Sequence, residues 1–150
     1  MTTQPASPPE HSDDLRWVEL TRIGEHRFKA TNRRGGVLPI GEGDDPDFTP
    51  VELLLAAIAA CGAIDVDYIT GKRSEPQSFD LYAEGEKVRD EQGNHLTDLL
   101  VVFDVKFPDG EAGDAARDVL QSAIERSRDR ICTVSRTVTL PSPVEMIQKG

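Results

Sequence analysis

One long apolar stretch dominates the pattern of hydrophobic and polar residues along this chain. It runs from residue 49 to residue 71 and reads TPVELLLAAIAACGAIDVDYITG. Thr49 as a cap, Pro50 at the first helical position and Glu52 in a capping box are typical of a helix start. Gly71 is typical of a helix end. Because apolar side chains cover most of the circumference, the stretch predicts a long helix that is buried on nearly every side.

The length of the predicted helix, roughly 30 Å at 1.5 Å per residue, approaches the thickness of a membrane. Its uncharged run, however, covers only the twelve residues from Leu53 to Ile64. This run is shorter than the roughly 20 residues of a membrane-spanning segment, so we interpret the stretch as a core helix. One sheet in a small domain leaves part of such a helix uncovered, and a second subunit is the simplest source of cover. The pattern therefore predicts a homodimer.

Partial alternation of apolar and polar residues predicts antiparallel strands before the helix. Residues 15–31 alternate in part and are interrupted at Gly24, where a hairpin turn fits. The segment 32–40, NRRGGVLPI, combines turn residues with a short strand. That strand is expected at a sheet edge, because Pro39 has no amide hydrogen for a ladder.

After the helix, the pattern predicts two more strands and a second helix. Apolar and polar residues alternate along 79–88 and 95–107. In the second segment this alternation puts five apolar residues on one face: Leu99, Val101, Phe103, Val105 and Phe107. The sequence PDGEAG then interrupts the chain, and Asp114 is a suitable cap for an amphipathic helix. The inward face of this helix, with a period near 3.6, comprises Ala116, Val119, Leu120, Ala123, Ile124 and Ser127.

The last predicted strand is TVSRTVTL, residues 133–140, which directly follows Cys132. As a strand it places Val134, Val138 and Leu140 on the same face as Cys132. The predicted order is strands, buried helix, strands, amphipathic helix and strand. Strand pairs that are segregated in this way favour an α+β fold with mainly antiparallel sheets.

Length, charge and cysteine content narrow the class of protein. A chain of 150 residues fits one domain, which we place at 15–150, after a polar, Pro-rich tail at 1–14 that we expect to be disordered. The net charge of −10 argues against nucleic-acid and membrane partners, which bind through clustered Lys and Arg. Two cysteines are too few for a disulfide scaffold, and residues 1–14 contain no hydrophobic signal region. We therefore expect a cytoplasmic protein.

Cys61 and Cys132 are the main candidates for chemistry. They lie about seventy positions apart, so the chain has neither a CxxC redox loop nor the ligand spacing of common zinc sites. None of the three histidines has a cysteine or carboxylate at the spacing of metal ligands, so we expect no metal site. Two buried cysteines are often inert packing residues. A reactive Cys61 in mid-helix needs a cation from elsewhere to stabilise its thiolate, and Arg33 and Arg34 are the candidates.

The sequence PVELLLAAIAACGAID, followed about seventy residues later by CTVSRTVTL after a charged amphipathic helix, resembles the OsmC-like family, which includes the organic hydroperoxide resistance proteins. The resemblance covers roughly residues 15–147 in the order and kind of elements. It implies an intertwined homodimer in which antiparallel sheets surround long central helices, with a site at the subunit interface. It also implies a thiol peroxidase, in which Cys61 attacks an organic hydroperoxide and becomes a sulfenic acid that Cys132 resolves as a disulfide.

The resemblance further implies that no metal or organic cofactor is needed and that a dithiol, such as a lipoyl group on a partner protein, reopens the disulfide. The family's active-site arginine lies on the turn after the second strand, which Arg34 matches best. The family's peroxidases carry a carboxylate directly after the helix-start proline, whereas this chain has Val51 there and Glu52 one position later. Either Glu52 substitutes, or the chain belongs to a branch with different chemistry. The predicted catalytic residues are Cys61, Cys132, Arg34 and Glu52.

Two functions stay open on the sequence alone. The first is a peroxidase for organic hydroperoxides in oxidative-stress defence. The alternative is a non-catalytic dimeric OsmC-like protein that binds a small hydrophobic ligand at the subunit interface, with the cysteines as packing residues. Asp65 and Asp67 on the long helix either pair with arginines across a dimer contact or form a solvated helix end.

Overall fold

The computed structural model describes residues 13–150, in a first compact unit that ends at Pro50 and a second that runs from Val51 to Gly150. Most of the tail predicted at residues 1–14 lies outside the described residues. The elements are mixed α and β with antiparallel sheets, so the predicted α+β class is confirmed.

The first unit contains a three-stranded antiparallel sheet in the order β1-β2-β3. The strands are β1 (Val18–Gly24), β2 (Arg27–Asn32) and β3 (Val37–Ile40). Glu25 and His26 form the turn between β1 and β2, and His26 has a positive φ of 55°. The hairpin predicted at Gly24 and the short strand that contains Pro39 are therefore both confirmed.

Two polar clusters shape the loops of the first unit. In the turn after β2, the side-chain oxygen of Asn32 accepts hydrogen bonds from the backbone N–H groups of Arg34 and Gly36, at 3.0 and 2.9 Å. In the loop after β3, Asp45 and Asp47 both pair with the guanidinium of Arg27. The carboxylates raise the pKa of Arg27, most strongly through the hydrogen bond to Asp47, so the pair keeps the loop attached to β2.

In the second unit, helix α1 covers Pro50–Gly71, as the sequence predicts. Within the chain its buried residues form one stripe, with one member every fourth position: Ile58, Gly62, Val66 and Thr70. Other apolar side chains of α1, including Ile64 and Tyr68, stay exposed. The expectation that the helix is buried on nearly every side is therefore not met within a single chain, because the chain itself covers only one face.

Among residues 13–150, α1 is the one helix that is long and apolar enough to cross a membrane. Core helices of soluble proteins satisfy the same criterion. Two aspartates in its second half interrupt the apolar run, which is the argument for a core helix.

Strands β4 (Ser78–Asp90) and β5 (Gly93–Lys106) form a long antiparallel hairpin, extending both predicted strands by a few residues. Along β5 the predicted alternation is present, since Val101, Phe103 and Val105 are half-buried while their neighbours are exposed. The register shifts at Gly85, where an added side chain would lie 2.8 Å from Leu99. A glycine is needed there because the opposite strand approaches so closely.

Helix α2 covers Glu111–Arg126 and begins before the position predicted from Asp114. Gly110 starts the helix with a φ of 112°, and the Asp114 side chain pairs with Arg117 within the first turns instead of capping. The start is fixed by Gly113, because any side chain there would collide with the carbonyl oxygen of Pro108. The cap prediction was wrong, because the helix begins at Glu111 and Asp114 already lies inside its first turn.

The predicted last strand is also wrong. After α2 the chain continues as a π-helical segment, Ser127–Ile131, and residues Thr133–Thr139 form helix α3. Cys132 caps α3 through its sulfur, and the hydroxyl of Thr137 donates to the carbonyl of Thr133 at 2.7 Å. Val134 and Val138 lie four positions apart, a spacing that fits one face of a helix as well as one face of a strand. The β-branched composition favoured the strand, and the local caps decided for the helix.

Candidate active site

The structure brings the two cysteines together in the second unit. Cys61 is half-buried on α1, and Cys132, only 1% exposed, lies between the π-helical segment and α3. Both are free thiols. Their Sγ atoms and a carboxylate oxygen of Asp65 all lie within 4.8 Å of one another. Residues about seventy positions apart in sequence therefore form one cluster of two thiols and a carboxylate.

A glycine and a serine hold the segments of this cluster together. A Cβ at Gly62 would be in ordinary van der Waals contact with the ring of Phe103 at 3.4 Å and the Ser127 hydroxyl at 3.8 Å, so both lie close to α1 at this position. The buried Ser127 hydroxyl donates a hydrogen bond of 2.9 Å to the carboxylate of Asp65. Its backbone carbonyl accepts from the N–H of Cys132, also at 2.9 Å. Ser127 thus connects the segment of Cys132 to the helix of Cys61.

The Cys132 sulfur is fixed by its own helix. It accepts a hydrogen bond from the backbone N–H of Ser135 at 3.4 Å, which is the N-terminal cap of α3. Because Cys132 is almost completely buried and its sulfur is used as a cap, its position depends on the formation of α3. The helix that replaces the predicted strand therefore positions the second thiol.

The surroundings of Cys61 disfavour its thiolate. Burial is the largest cause that raises the pKa of Cys61, followed by the hydrogen bond with Cys132, and the negative charge of Asp65 adds to both. A hydrogen bond from the backbone of Val134 acts in the opposite direction but does not offset them. A raised pKa leaves Cys61 mostly protonated at neutral pH, so efficient attack by this thiol requires a cation close to the sulfur.

A cavity of about 370 Å³ lies within the second unit, and none of the three cluster residues is part of its lining. Gly62, Ser127 and Ser135, which line it, are each a neighbour or hydrogen-bond partner of a cluster residue. The rest of the wall is largely apolar: Ile58, Leu99, Leu100, Val101, Phe103, Ile124, Arg128, Val138 and Thr139. The cavity is of a size that accepts a small organic molecule.

Arg34 and Glu52, the other two predicted site residues, are not members of the thiol cluster. Arg34 is exposed on the turn between β2 and β3 of the first unit, so its approach to Cys61 stays a prediction. Glu52 is in the first turn of α1, about 14 Å along the helix from Cys61 and roughly on the opposite side. That separation rules out direct contact between the two side chains within the chain.

Asp65 and Ser127 are members of the cluster that the sequence did not identify as site residues. Asp65 was interpreted as an interface or solvated residue, but it is half-buried and hydrogen-bonded to Ser127. Its position four residues after Cys61 would have placed it on the same helix face, which is the signal that identifies it. Ser127 carried no comparable signal, because its place depends on packing between distant segments.

Comparison with known proteins identifies the family. The family model described as OsmC-like protein matches residues 41–147, which contain both cysteines, the long helix and the cavity. The chain belongs to the OsmC-like family. The resemblance noted in the sequence is therefore confirmed.

Other proteins are similar to this OsmC-like chain in sequence or in fold. An uncharacterized protein of Mycobacterium tuberculosis is 30% identical over 132 residues, which is 87% of this chain and 92% of that protein. The fold is similar to that of a hypothetical protein from Aquifex aeolicus, with a TM-score of 0.68 at 22% identity, over 84% of this chain and 88% of that one. It is also similar to the organic hydroperoxide resistance protein OhrB of Bacillus subtilis, with a TM-score of 0.53 at 17% identity, over 81% and 90% of the two chains.

Proposed function

We propose that this OsmC-like protein is a cytoplasmic thiol peroxidase that reduces organic hydroperoxides. The observation that carries the proposal is the convergence of its only two cysteines as free thiols, with Asp65 in the same cluster. Two thiols from segments about seventy residues apart that lie within 4.8 Å of each other are close enough to form a disulfide after oxidation. The name of the Bacillus subtilis neighbour, an organic hydroperoxide resistance protein, supports the choice of substrate class.

The proposed reaction has two steps. The Cys61 thiolate attacks the outer oxygen of the hydroperoxide, the O–O bond breaks, and the alkoxide takes up a proton to leave as an alcohol. Cys61 is then a sulfenic acid. The thiol of Cys132 attacks the Cys61 sulfur, water leaves, and a disulfide forms. A dithiol, for example a lipoyl group on a partner protein, reduces the disulfide by two successive thiol exchanges and is itself oxidised to a disulfide.

The buried Cys61 needs positive charge for the first step, and we assign that role to Arg34. A guanidinium offers two parallel N–H donors, which suits a sulfur and a peroxide oxygen at the same time. Glu52 is the proposed anchor of Arg34, because Val51 occupies the position of the family's carboxylate. We further propose that the active form is a homodimer, since α1 leaves Ile64 and Tyr68 exposed within the chain.

A second candidate function is the binding of a small hydrophobic ligand without catalysis. The observation that favours it is the cavity itself, whose wall is mostly apolar and which is large enough for a small organic molecule. In this function the thiols are packing residues and stay reduced when a peroxide is added.

Mass spectrometry after one equivalent of cumene hydroperoxide separates the two candidates. The peroxidase loses two hydrogens, and peptide mapping locates a Cys61–Cys132 disulfide. The binding protein keeps both thiols. Cys132→Ser is the matched variant, because it retains Cys61 and should stop at a sulfenic acid that a dimedone probe captures. Unmodified thiols in the wild-type protein would contradict the proposed peroxidase.

A further inference from the structure

The thiol cluster also has the composition of a metal site. Two sulfur donors, Cys61 and Cys132, and one oxygen donor, Asp65, lie within 4.8 Å of one another. Thiolates select soft and borderline cations such as Zn²⁺ over Mg²⁺ and Ca²⁺. Because the two cysteines lie far apart in sequence, their spacing does not match common zinc motifs, which keep their ligands close in sequence.

The separations suit a tetrahedral cation. Zn–S bonds of about 2.3 Å at tetrahedral angles place two sulfur ligands about 3.8 Å apart. The three donor atoms lie within 4.8 Å of one another, so small shifts of their side chains would bring them to the separations that one Zn²⁺ ion requires.

The surroundings of the three donors support ligation. Asp65 already accepts a hydrogen bond from the buried hydroxyl of Ser127, and Cys132 accepts one from the backbone N–H of Ser135. Such contacts orient metal ligands and raise affinity in known metal sites. A water molecule would complete the tetrahedral shell of such a cation as the fourth ligand.

We propose that the reduced protein binds one Zn²⁺-class cation per chain through Cys61, Cys132 and Asp65. Binding releases the protons of the two thiols and involves no change in oxidation state. A bound cation occupies the sulfur lone pairs, so it competes with oxidation of the thiols. The proposal does not depend on the peroxidase function, because it concerns the reduced protein in the absence of peroxide.

Cobalt titration tests the proposal directly. The full-length protein is reduced, treated with a chelator, transferred to anaerobic buffer and titrated with Co²⁺, whose thiolate complexes have a charge-transfer absorption. We expect this absorption to saturate at one Co²⁺ per chain and to disappear when Zn²⁺ is added. Cys61→Ser and Cys132→Ser should each weaken binding by at least about a hundredfold, because each removes a sulfur ligand.

Asp65→Asn and Asp67→Asn form a matched pair on α1, with the same change of charge two positions apart. Asp67 is exposed and outside the cluster, so we expect its variant to bind Co²⁺ within about twofold of wild type. Asp65→Asn should bind at least about tenfold more weakly, and Ser127→Ala, which retains all three ligands, roughly tenfold more weakly. Should Asp65→Asn fail to fold by circular dichroism, Ser127→Ala carries the comparison.

Two results would overturn the metal proposal: no charge-transfer absorption in the wild-type protein, or equal affinities for the Asp65→Asn and Asp67→Asn variants. Neither result would contradict the proposed peroxidase activity, which is assayed separately in the presence of a chelator. Conversely, a protein that binds Co²⁺ through the three residues but keeps both thiols reduced with peroxide would retain the metal site and lose the peroxidase. The two proposals therefore fail independently.

Discussion

The two units of the chain differ in how they bury apolar surface. Among residues 13–150, the nearly inaccessible apolar side chains all belong to the second unit: Ile58, Val66, Phe107, Ala116, Ala123 and Cys132. The three-stranded sheet of the first unit contains none, and its apolar residues Val18, Leu20, Phe28 and Val37 stay exposed. One of the two thiols is thus part of a core, while the predicted arginine is on a sheet that has no core of its own.

The two units therefore differ in what stabilises them. The second unit can fix its cysteines because packing around Gly62 and Ser127 determines their positions. A sheet with exposed apolar residues on its strands is stable only when something covers them. We infer that the first unit depends on association, and the following predictions test the contrast, from the largest expected effect to the smallest.

Removal of the nucleophile in the second unit should have the largest effect. We expect Cys61→Ser to reduce peroxide consumption with a dithiol reductant by about a thousandfold or more, because a serine hydroxyl is not ionised at neutral pH. Arg22→Ala, an exposed change in β1 of the first unit, is the control and should leave the rate within about twofold. If Cys61→Ser retained substantial activity, Cys61 would not be the nucleophile and the proposed mechanism would be wrong.

The exposed face of α1 should govern association. Ile64 is 58% exposed within the chain, and we predict an obligate dimer that buries more than roughly 2,000 Å². Ile64→Glu should raise the dimer dissociation constant by about a hundredfold or more, because it places a charge in an apolar contact. Sedimentation equilibrium measures this, with Gln121→Glu on the exposed side of α2 as the control. A wild-type protein that is a folded monomer at micromolar concentration would contradict the prediction.

A pair of apolar truncations compares the two units directly. Val66 is completely buried in α1, so Val66→Ala should lower the free energy of unfolding by about 2 to 3 kcal/mol. Leu20 in β1 is 55% exposed within the chain. We nevertheless expect Leu20→Ala to cost more than about 1 kcal/mol, because the proposed association would cover the sheet in solution. Urea unfolding at fixed protein concentration tests both, and a change below about 0.5 kcal/mol for Leu20→Ala would show that β1 stays uncovered.

The first unit should contribute to catalysis through Arg34. We expect Arg34→Ala to slow oxidation of Cys61 by roughly tenfold, which corresponds to about 1.4 kcal/mol of lost transition-state stabilisation. Arg34→Lys should recover only part of the rate, because an ammonium lacks the paired donors. Val51→Glu should accelerate the reaction if the missing carboxylate limits it. Stopped-flow measurements decide these points, and equal rates for wild type and Arg34→Ala would remove Arg34 from the mechanism.

The pH dependence of Cys61 should show the smallest effect. Burial, the hydrogen bond with Cys132 and the charge of Asp65 raise the pKa of Cys61 above the ordinary thiol value of 9.0. The folded protein therefore holds the thiol proton more tightly than the unfolded chain, so this group's contribution to stability is lost as the pH rises through the raised pKa.

The same shift predicts how fast the thiol is alkylated. With a chelator present, the rate of Cys61 alkylation should keep rising with pH beyond the ordinary thiol range. Asp65→Asn should increase the rate at neutral pH about two- to threefold, because it removes a negative charge close to the sulfur. Asp67→Asn should not. An alkylation rate that levels off below pH 9.0 would contradict the raised pKa.

Local pattern was sufficient for most elements. The start and end of α1, the hairpin at Gly24 and the alternation along β5 depend on residues within a few positions of one another, and all were predicted correctly. Family membership was predicted from two cysteine-containing segments and is confirmed over residues 41–147. The α+β class followed from the order of the elements.

Tertiary structure decided what local pattern leaves ambiguous. Residues 133–139 have valines at a spacing that suits helix and strand alike; the sulfur cap that selects the helix is itself local, whereas the place of Cys132 beside Cys61 depends on packing between distant segments. The position of Asp65 beside two thiols depends on a contact with Ser127, which no local rule encodes because the partners lie on different elements. Sequence determined which residues can ionise or bind a metal. Packing alone determined which of them meet, because distances between remote segments are set by the sum of many contacts.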